Sequence, residues 1–195
     1  MRTYKAALGV LVAAVLAGGA SASPRIDPVE YFTANVGIFS SPARFELRAV
    51  DIAIMRWSTP VEHQMLAATL LEKGWVEYLD QLCTFEPVGS IVTLDGRDIA
   101  IRYAWQVTDR EGRRRVFIGT DEPIVLVKPP IRPSALADSL TFLELRLDAN
   151  GKGEGKFSEA ARLMVDESEN VIQLRDYANR PLHMMMVRSL FSVEE

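Results

Sequence analysis

Four residues combine side-chain types suited to holding a ligand: Arg102, Tyr103, Trp105 and Glu144. The first three fall in one alternating run, DIAIRYAWQVT. Ile99, Ile101, Tyr103, Trp105 and Val107 share one face of it, and Ala100, Arg102, Ala104 and Gln106 share the other. That pattern predicts a half-buried strand with a large aromatic face. Glu144 sits in TFLELRL on a face with Phe142 and Arg146. If Glu144 and Arg102 faced a common cavity, they would bind a polar headgroup. The plainer alternative puts both on the solvent face of a sheet.

Other segments suggest chemistry and then withdraw it. LDANGKGEGKFSE places Asp148, Asn150, Gly153 and Glu159 at the first, third, sixth and twelfth positions of an EF-hand loop. Its fifth position is Lys152, an ammonium where calcium needs an oxygen, and the preceding segment has the period of a strand. Asn150-Gly151 instead reads as a hairpin dipeptide, since both residues tolerate positive φ. HMMM at 183–186 carries donors that suit Cu(I). In a strand, though, Met184 and Met186 point one way and His183 and Met185 the other, so packing of two of the methionines is expected.

Serine hydrolysis lacks a Gly-x-Ser-x-Gly elbow, and the chain has only two histidines, His63 and His183. Zinc signatures, phosphate loops and dinucleotide fingerprints are missing from the sequence. No cofactor is implied. Cys83 is the single cysteine, so no intrachain disulfide can form. Its neighbours Leu79, Leu82 and Phe85 predict a buried, inert thiol. Twenty-two Lys and Arg against 26 Asp and Glu argue against a nucleic-acid partner. The one cationic run, Arg113-Arg114-Arg115, reads as a solvated turn and strand start.

The elements that must position these residues begin after a targeting segment. Arg2 and Lys5 precede the apolar run Ala6–Ala17, and Ala20-Ser21-Ala22 offers a cleavage site. This is the pattern of a secretory signal over residues 1–22, with a run too short to serve as a comfortable transmembrane span. A periplasmic or secreted protein is expected, with no stable membrane anchor after cleavage.

Residues 23–44 carry Pro24, Pro28 and Pro42 and read as an extended lead-in, with one short strand near Tyr31–Phe39. A single domain is expected over 45–195. Phe45–Trp57 alternates in two phases, which predicts a bulge. Thr59-Pro60-Val61-Glu62 offers a capping box before a helix faced by Met65, Leu66, Thr69 and Leu70, with Gly74 closing it. Trp75–Leu82 gives a second short helix and hence a helical hairpin. Strands at Ile91–Leu94, Asp98–Thr108, Arg114–Thr120, Leu140–Leu147, Lys156–Val165, Val171–Arg175 and Leu182–Leu190 follow. A loop with four prolines, Asp121–Pro133, interrupts them.

RWST, GRDIAIRYAW, FIGTDEPI, LELRLDANGKGEGK and RPLHMMMVR, in this order, resemble segments of a group of exported bacterial proteins of no established activity. The resemblance runs from about Phe45 onward and implies export and this order of elements. It supplies no catalytic residues, and the HMMM run departs from it.

The expected fold is α+β, mainly antiparallel: a curved sheet or small barrel with the helical hairpin on one face or end. A two-sheet sandwich is the alternative. The expected function is a non-enzymatic binding module for a small apolar or amphipathic ligand, or for an envelope protein partner. The competing function is an envelope hydrolase. Asp98, Arg102, Glu144 and His183 gathered in one cleft would favour the enzyme, and their dispersal would favour the binding module.

Overall fold

The computed structural model describes residues 28–41, 44–93, 96–126, 140–177 and 181–192. The segment read as a secretory signal and most of the proline-rich crossover lie outside these residues. Among them are two helices and ten strands. Eight strands close into an antiparallel barrel, so the curved-sheet reading holds and the sandwich does not.

Chain order gives β1 (Glu30–Ser41), β2 (Arg44–Ile54), α1 (Pro60–Glu72), α2 (Trp75–Cys83), β3 (Gly89–Thr93), β4 (Asp98–Thr108) and β5 (Arg114–Thr120). There follow β6 (Phe142–Leu147), β7 (Lys152–Ser158), β8 (Leu163–Asp166), β9 (Val171–Leu174) and β10 (Leu182–Ser192). Around the barrel the order is β1-β10-β7-β6-β5-β4-β3-β2. β8 and β9 form a separate hairpin. The segment read as a lead-in thus supplies a full barrel strand, paired on both sides to β2 and β10.

Two apolar cores result. Inward-facing residues fill the barrel, among them Phe32, Ile38, Ile52, Ile91, Leu145 and Phe157. Eight-stranded barrels are just wide enough for side chains to do this. One end is closed by charge: Arg114 grips both oxygens of Glu30 at 2.8 Å and also donates to Gln106, while Ser189 Oγ donates to Glu30 at 2.7 Å. The second core lies outside the barrel wall. Tyr103, Phe117 and Phe142, from three adjacent strands, are covered by Leu66, Tyr78 and Leu82 of the helices and by Ile172 and Leu174 of β9.

A register shift between Ile101 and Tyr103 lets β4 serve both cores. Ile99 and Ile101 belong to the barrel interior, whereas Tyr103 belongs to the outer core. The strict alternation seen in the sequence therefore does not mark one face. In β2 the reverse holds. Its two apolar phases lie in an unbroken register against β1 from Phe45 to Ile54, with no bulge between them. They are simply opposite faces: Val50, Ile52 and Ile54 are buried inside, while Phe45 and Leu47 are exposed outside.

Local signals built the remaining elements. Thr59 and Glu62 form the capping box, with Thr59 Oγ1 accepting from Glu62 N and Glu62 accepting from Thr59 N. Arg56 clamps the same carboxylate with two 2.9 Å bonds. The buried face of α1 is His63, Leu66, Ala67 and Thr69, whereas Met65 is exposed. LDANGKGEGKFSE forms the β6–β7 hairpin. Asp148 Oδ1 accepts from the backbone N–H of Asn150 and Lys152, and Gly151 alone takes positive φ, at 70°. That is a type I turn with a glycine bulge, not the turn with two positive φ values that Asn-Gly suggests. The strand expected over Lys156–Val165 is broken in two, as β7 and β8.

Candidate functional site

The outer wall of the barrel carries one row of directly opposed residues running from aromatic to charged. Trp105 faces Phe117, Phe117 faces Glu144, Glu144 faces Lys156, and Lys156 faces His183. The row contains two of the four expected site residues, Trp105 and Glu144.

At its aromatic end the organising group is His63, which the sequence reading set aside. His63 is buried on α1, and its ring stacks on Trp105 with centroids 4.3 Å apart and planes 4° apart. Asn170 Oδ1, in the β8–β9 turn, accepts from His63 Nε2–H at 3.4 Å. Nδ1 then accepts from the Tyr103 hydroxyl at 2.8 Å. Burial holds the imidazole below its ordinary pKa of 6.5 and pushes the Tyr103 hydroxyl well above its own. The neutral ring thus satisfies both nitrogens and ties α1, β4 and the β8–β9 turn together. Asn170 adopts φ 51°, a conformation asparagine tolerates better than most residues.

At the charged end Glu144 is fully buried, not on a solvent face. Glu144 Oε1 accepts from Arg115 at 3.0 Å and from Arg146 at 3.1 Å. Each arginine is also backed by an aromatic ring: Arg115 lies 5.0 Å from the centroid of Phe117, and Arg146 lies 3.8 Å from that of Tyr177. Gln173 of β9 and Glu169 of the β8–β9 turn also accept from Arg115. The arginine run is therefore not a solvated edge. Arg113 stays in the exposed turn with Asp109 and Glu111. Strand alternation then sends Arg114 into the barrel and Arg115 to its outer wall.

Arg115 and Arg146 open onto a groove of ≈ 790 Å³ at the end of the barrel where the β4–β5 and β6–β7 turns meet. Val107, Leu147 and Gly153 give it apolar walls, and Arg113, Lys152 and Glu169 rim it. The two flanking turns share one construction. Asp109 and Asp148 each accept two backbone N–H bonds, and Gly112 and Gly151 each take positive φ. Both carboxylates are held below their ordinary range. For Asp109 the Arg113 side-chain hydrogen bond leads that lowering, and for Asp148 the Lys152 backbone N–H does.

The remaining expected residues lie apart. Arg102 sits at the β4 bulge, donating to Asp121 at 2.7 Å and to the Phe85 carbonyl at 2.8 Å, so it does not meet Glu144. Tyr103 is fully buried and Trp105 half-buried, and neither lines the groove. Asp98 is exposed at the start of β4, and His183 pairs with Glu154 at 3.0 Å. Cys83 is exposed at the end of α2, contrary to the buried thiol expected. In HMMM a register shift before Val187 and a positive φ at Met186 break the alternation. Only Met184 enters the core, and Met186 is exposed.

Among the described residues no three His, Cys, Asp or Glu side chains converge as metal ligands, and no helix is long and apolar enough to cross a membrane. No family model, curated protein or solved structure matches the chain.

Proposed function

We propose that this chain is an exported, non-enzymatic binding module whose ligand is a small amphipathic molecule with an anionic head, held in the groove between the β4–β5 and β6–β7 turns. One observation carries this reading: Arg115 and Arg146 share the buried Glu144 oxygen and both line the groove. A guanidinium fixed by a carboxylate behind it and a ring beside it is already oriented for a carboxylate or phosphate in front. Glu169 on Arg115 acts as an internal stand-in that such a head would displace. Val107 would take the apolar part.

The filled barrel interior speaks against a ligand inside the barrel. The dispersal of Asp98, Arg102, Glu144 and His183 speaks against the hydrolase.

Native mass spectrometry of the protein purified from its own host tests the reading. The expected result is an extra mass that denaturation removes and that is lost from an Arg115→Ala/Arg146→Ala double variant. A bare mass for the wild-type protein, or an adduct retained by the double variant, overturns the groove as the site.

A further inference from the structure

The β1–β2 hairpin reaches beyond the barrel that it helps to close. β10 leaves β1 at the His183–Gly37 pair, and β3 leaves β2 at the Thr93–Val50 pair. β1 and β2 continue together through Phe39 opposite Phe45 to Ser41 opposite Arg44. Along Phe45–Ala49, therefore, no described strand pairs with β2 on the side that β3 occupies lower down. A strand edge that passes its neighbour presents backbone N–H and C=O groups to another strand.

The outward face of this overhang is apolar. Phe39, Phe45 and Leu47 are 68%, 50% and 44% exposed. The Phe39 and Phe45 rings pack at 5.2 Å, and Phe45 lies over the bare backbone of Gly37 beside the Met185 methyl.

The opposite face alternates in charge. Glu46 and Arg48 point that way and pair with each other at 2.7 Å within the strand. The sequence Arg44-Phe45-Glu46-Leu47-Arg48-Ala49 complements itself when it runs antiparallel to a copy about Leu47. Leu47 then meets the second copy's Leu47, Phe45 meets its Ala49, and Glu46 and Arg48 each meet the opposite charge. Cross-strand apolar and opposite-charge pairs are the stabilising units of a sheet, and a two-fold axis through the Leu47 pair makes the Phe45–Ala49 and Glu46–Arg48 pairs twice.

We propose that the β2 edge is a dimer interface: two copies of this chain add edge to edge through Phe45–Ala49, and the apolar faces around Phe39, Phe45 and Leu47 become continuous across the axis. The partner is a second copy because the edge carries both halves of every pair it needs.

Sedimentation velocity on three proteins tests this: the wild type, Glu46→Arg and Arg48→Glu, with circular dichroism confirming that each is folded. The wild type is expected to be dimeric. Each single variant sets like charges opposite one another twice and is expected to lose at least about tenfold in association. Mixing the two variants restores opposite charges at all four positions between chains and is expected to recover the dimer. No change within one chain can produce that recovery.

A wild type that stays monomeric to about 100 µM overturns the proposal. Single variants as dimeric as the wild type overturn it too. A mixture that stays monomeric overturns the antiparallel register about Leu47.

Discussion

Replacing Glu144 with glutamine removes one charge from a fully buried position while keeping the side chain's shape. Arg115 and Arg146 would lose their shared carboxylate. Removing one partner of a buried pair costs about 3–5 kcal/mol when the other charge stays buried and uncompensated. The discount here is large, because the Arg115 side chain is 22% exposed and that of Arg146 is 47% exposed. Arg115 also keeps Glu169 and Gln173, and an amide oxygen still accepts one bond. An expected loss of about 2 kcal/mol follows, mostly from Arg115. Urea unfolding followed by circular dichroism measures it, with the slope m unchanged because the same surface is exposed on unfolding. Glu144→Leu is expected to be worse, since it removes both the charge and the acceptor. A Glu144→Gln loss below about 0.5 kcal/mol would refute the reasoning, for that is the scale of an exposed pair. It would mean that Glu169 and Gln173 alone hold Arg115, and that Glu144 does not set the arginines lining the groove.

Two further outcomes are expected. The His63 pKa is lowered in the folded chain, so the stability that His63 contributes is fully present above its unfolded value near 6.5 and falls as pH drops from there through the folded value. Urea midpoints for the wild type and His63→Gln should therefore converge as pH falls through that window, and a constant difference would contradict the neutral-imidazole assignment. Gly89→Ala should destabilise by several kcal/mol, because a Cβ there would drive into the Ala53 carbonyl oxygen on the paired strand. A thermal melt matching the wild type would show that β3 shifts freely on β2.

The antiparallel architecture was legible because strands of period two, glycine turns and a capping box are local signals. Leu143, Leu145 and Leu147 share the inner face, as their spacing requires. The helical hairpin stands where Thr59-Pro60 and Gly74 put it. What misled was the assignment of faces. Nothing near Glu144 in the sequence announces that β9 and Tyr177, about thirty residues on, will cover a strand face that alternation alone marks as solvent. The β4 bulge was hidden for the same reason: apolar residues at 99, 101, 103 and 105 look continuous whether they meet one core or two. In β2 the two phases looked like a slip, because an exposed Phe45 and Leu47 are not what a solvated face usually shows. For His63 the only signal was a histidine inside an apolar helical stretch, and its partners Tyr103, Trp105 and Asn170 lie between 40 and 107 residues further along the chain.

The shared strand β4 also sets an order of assembly. α1 and α2 are 13 and 9 residues long, near or below the length at which an isolated helix persists in water. The floor they settle on consists of Tyr103, Phe117 and Phe142, three rings that become one surface only when β4, β5 and β6 are paired. The helices leave the ribosome before any of those strands. Leu66, Tyr78 and Leu82 must therefore wait, uncovered, until about sixty more residues have followed Leu82. The helical hairpin is made early and set late, so a chain stalled before Phe142 would be open to aggregation and to proteases at its helices as well as at the unpaired edges of β1 and β5.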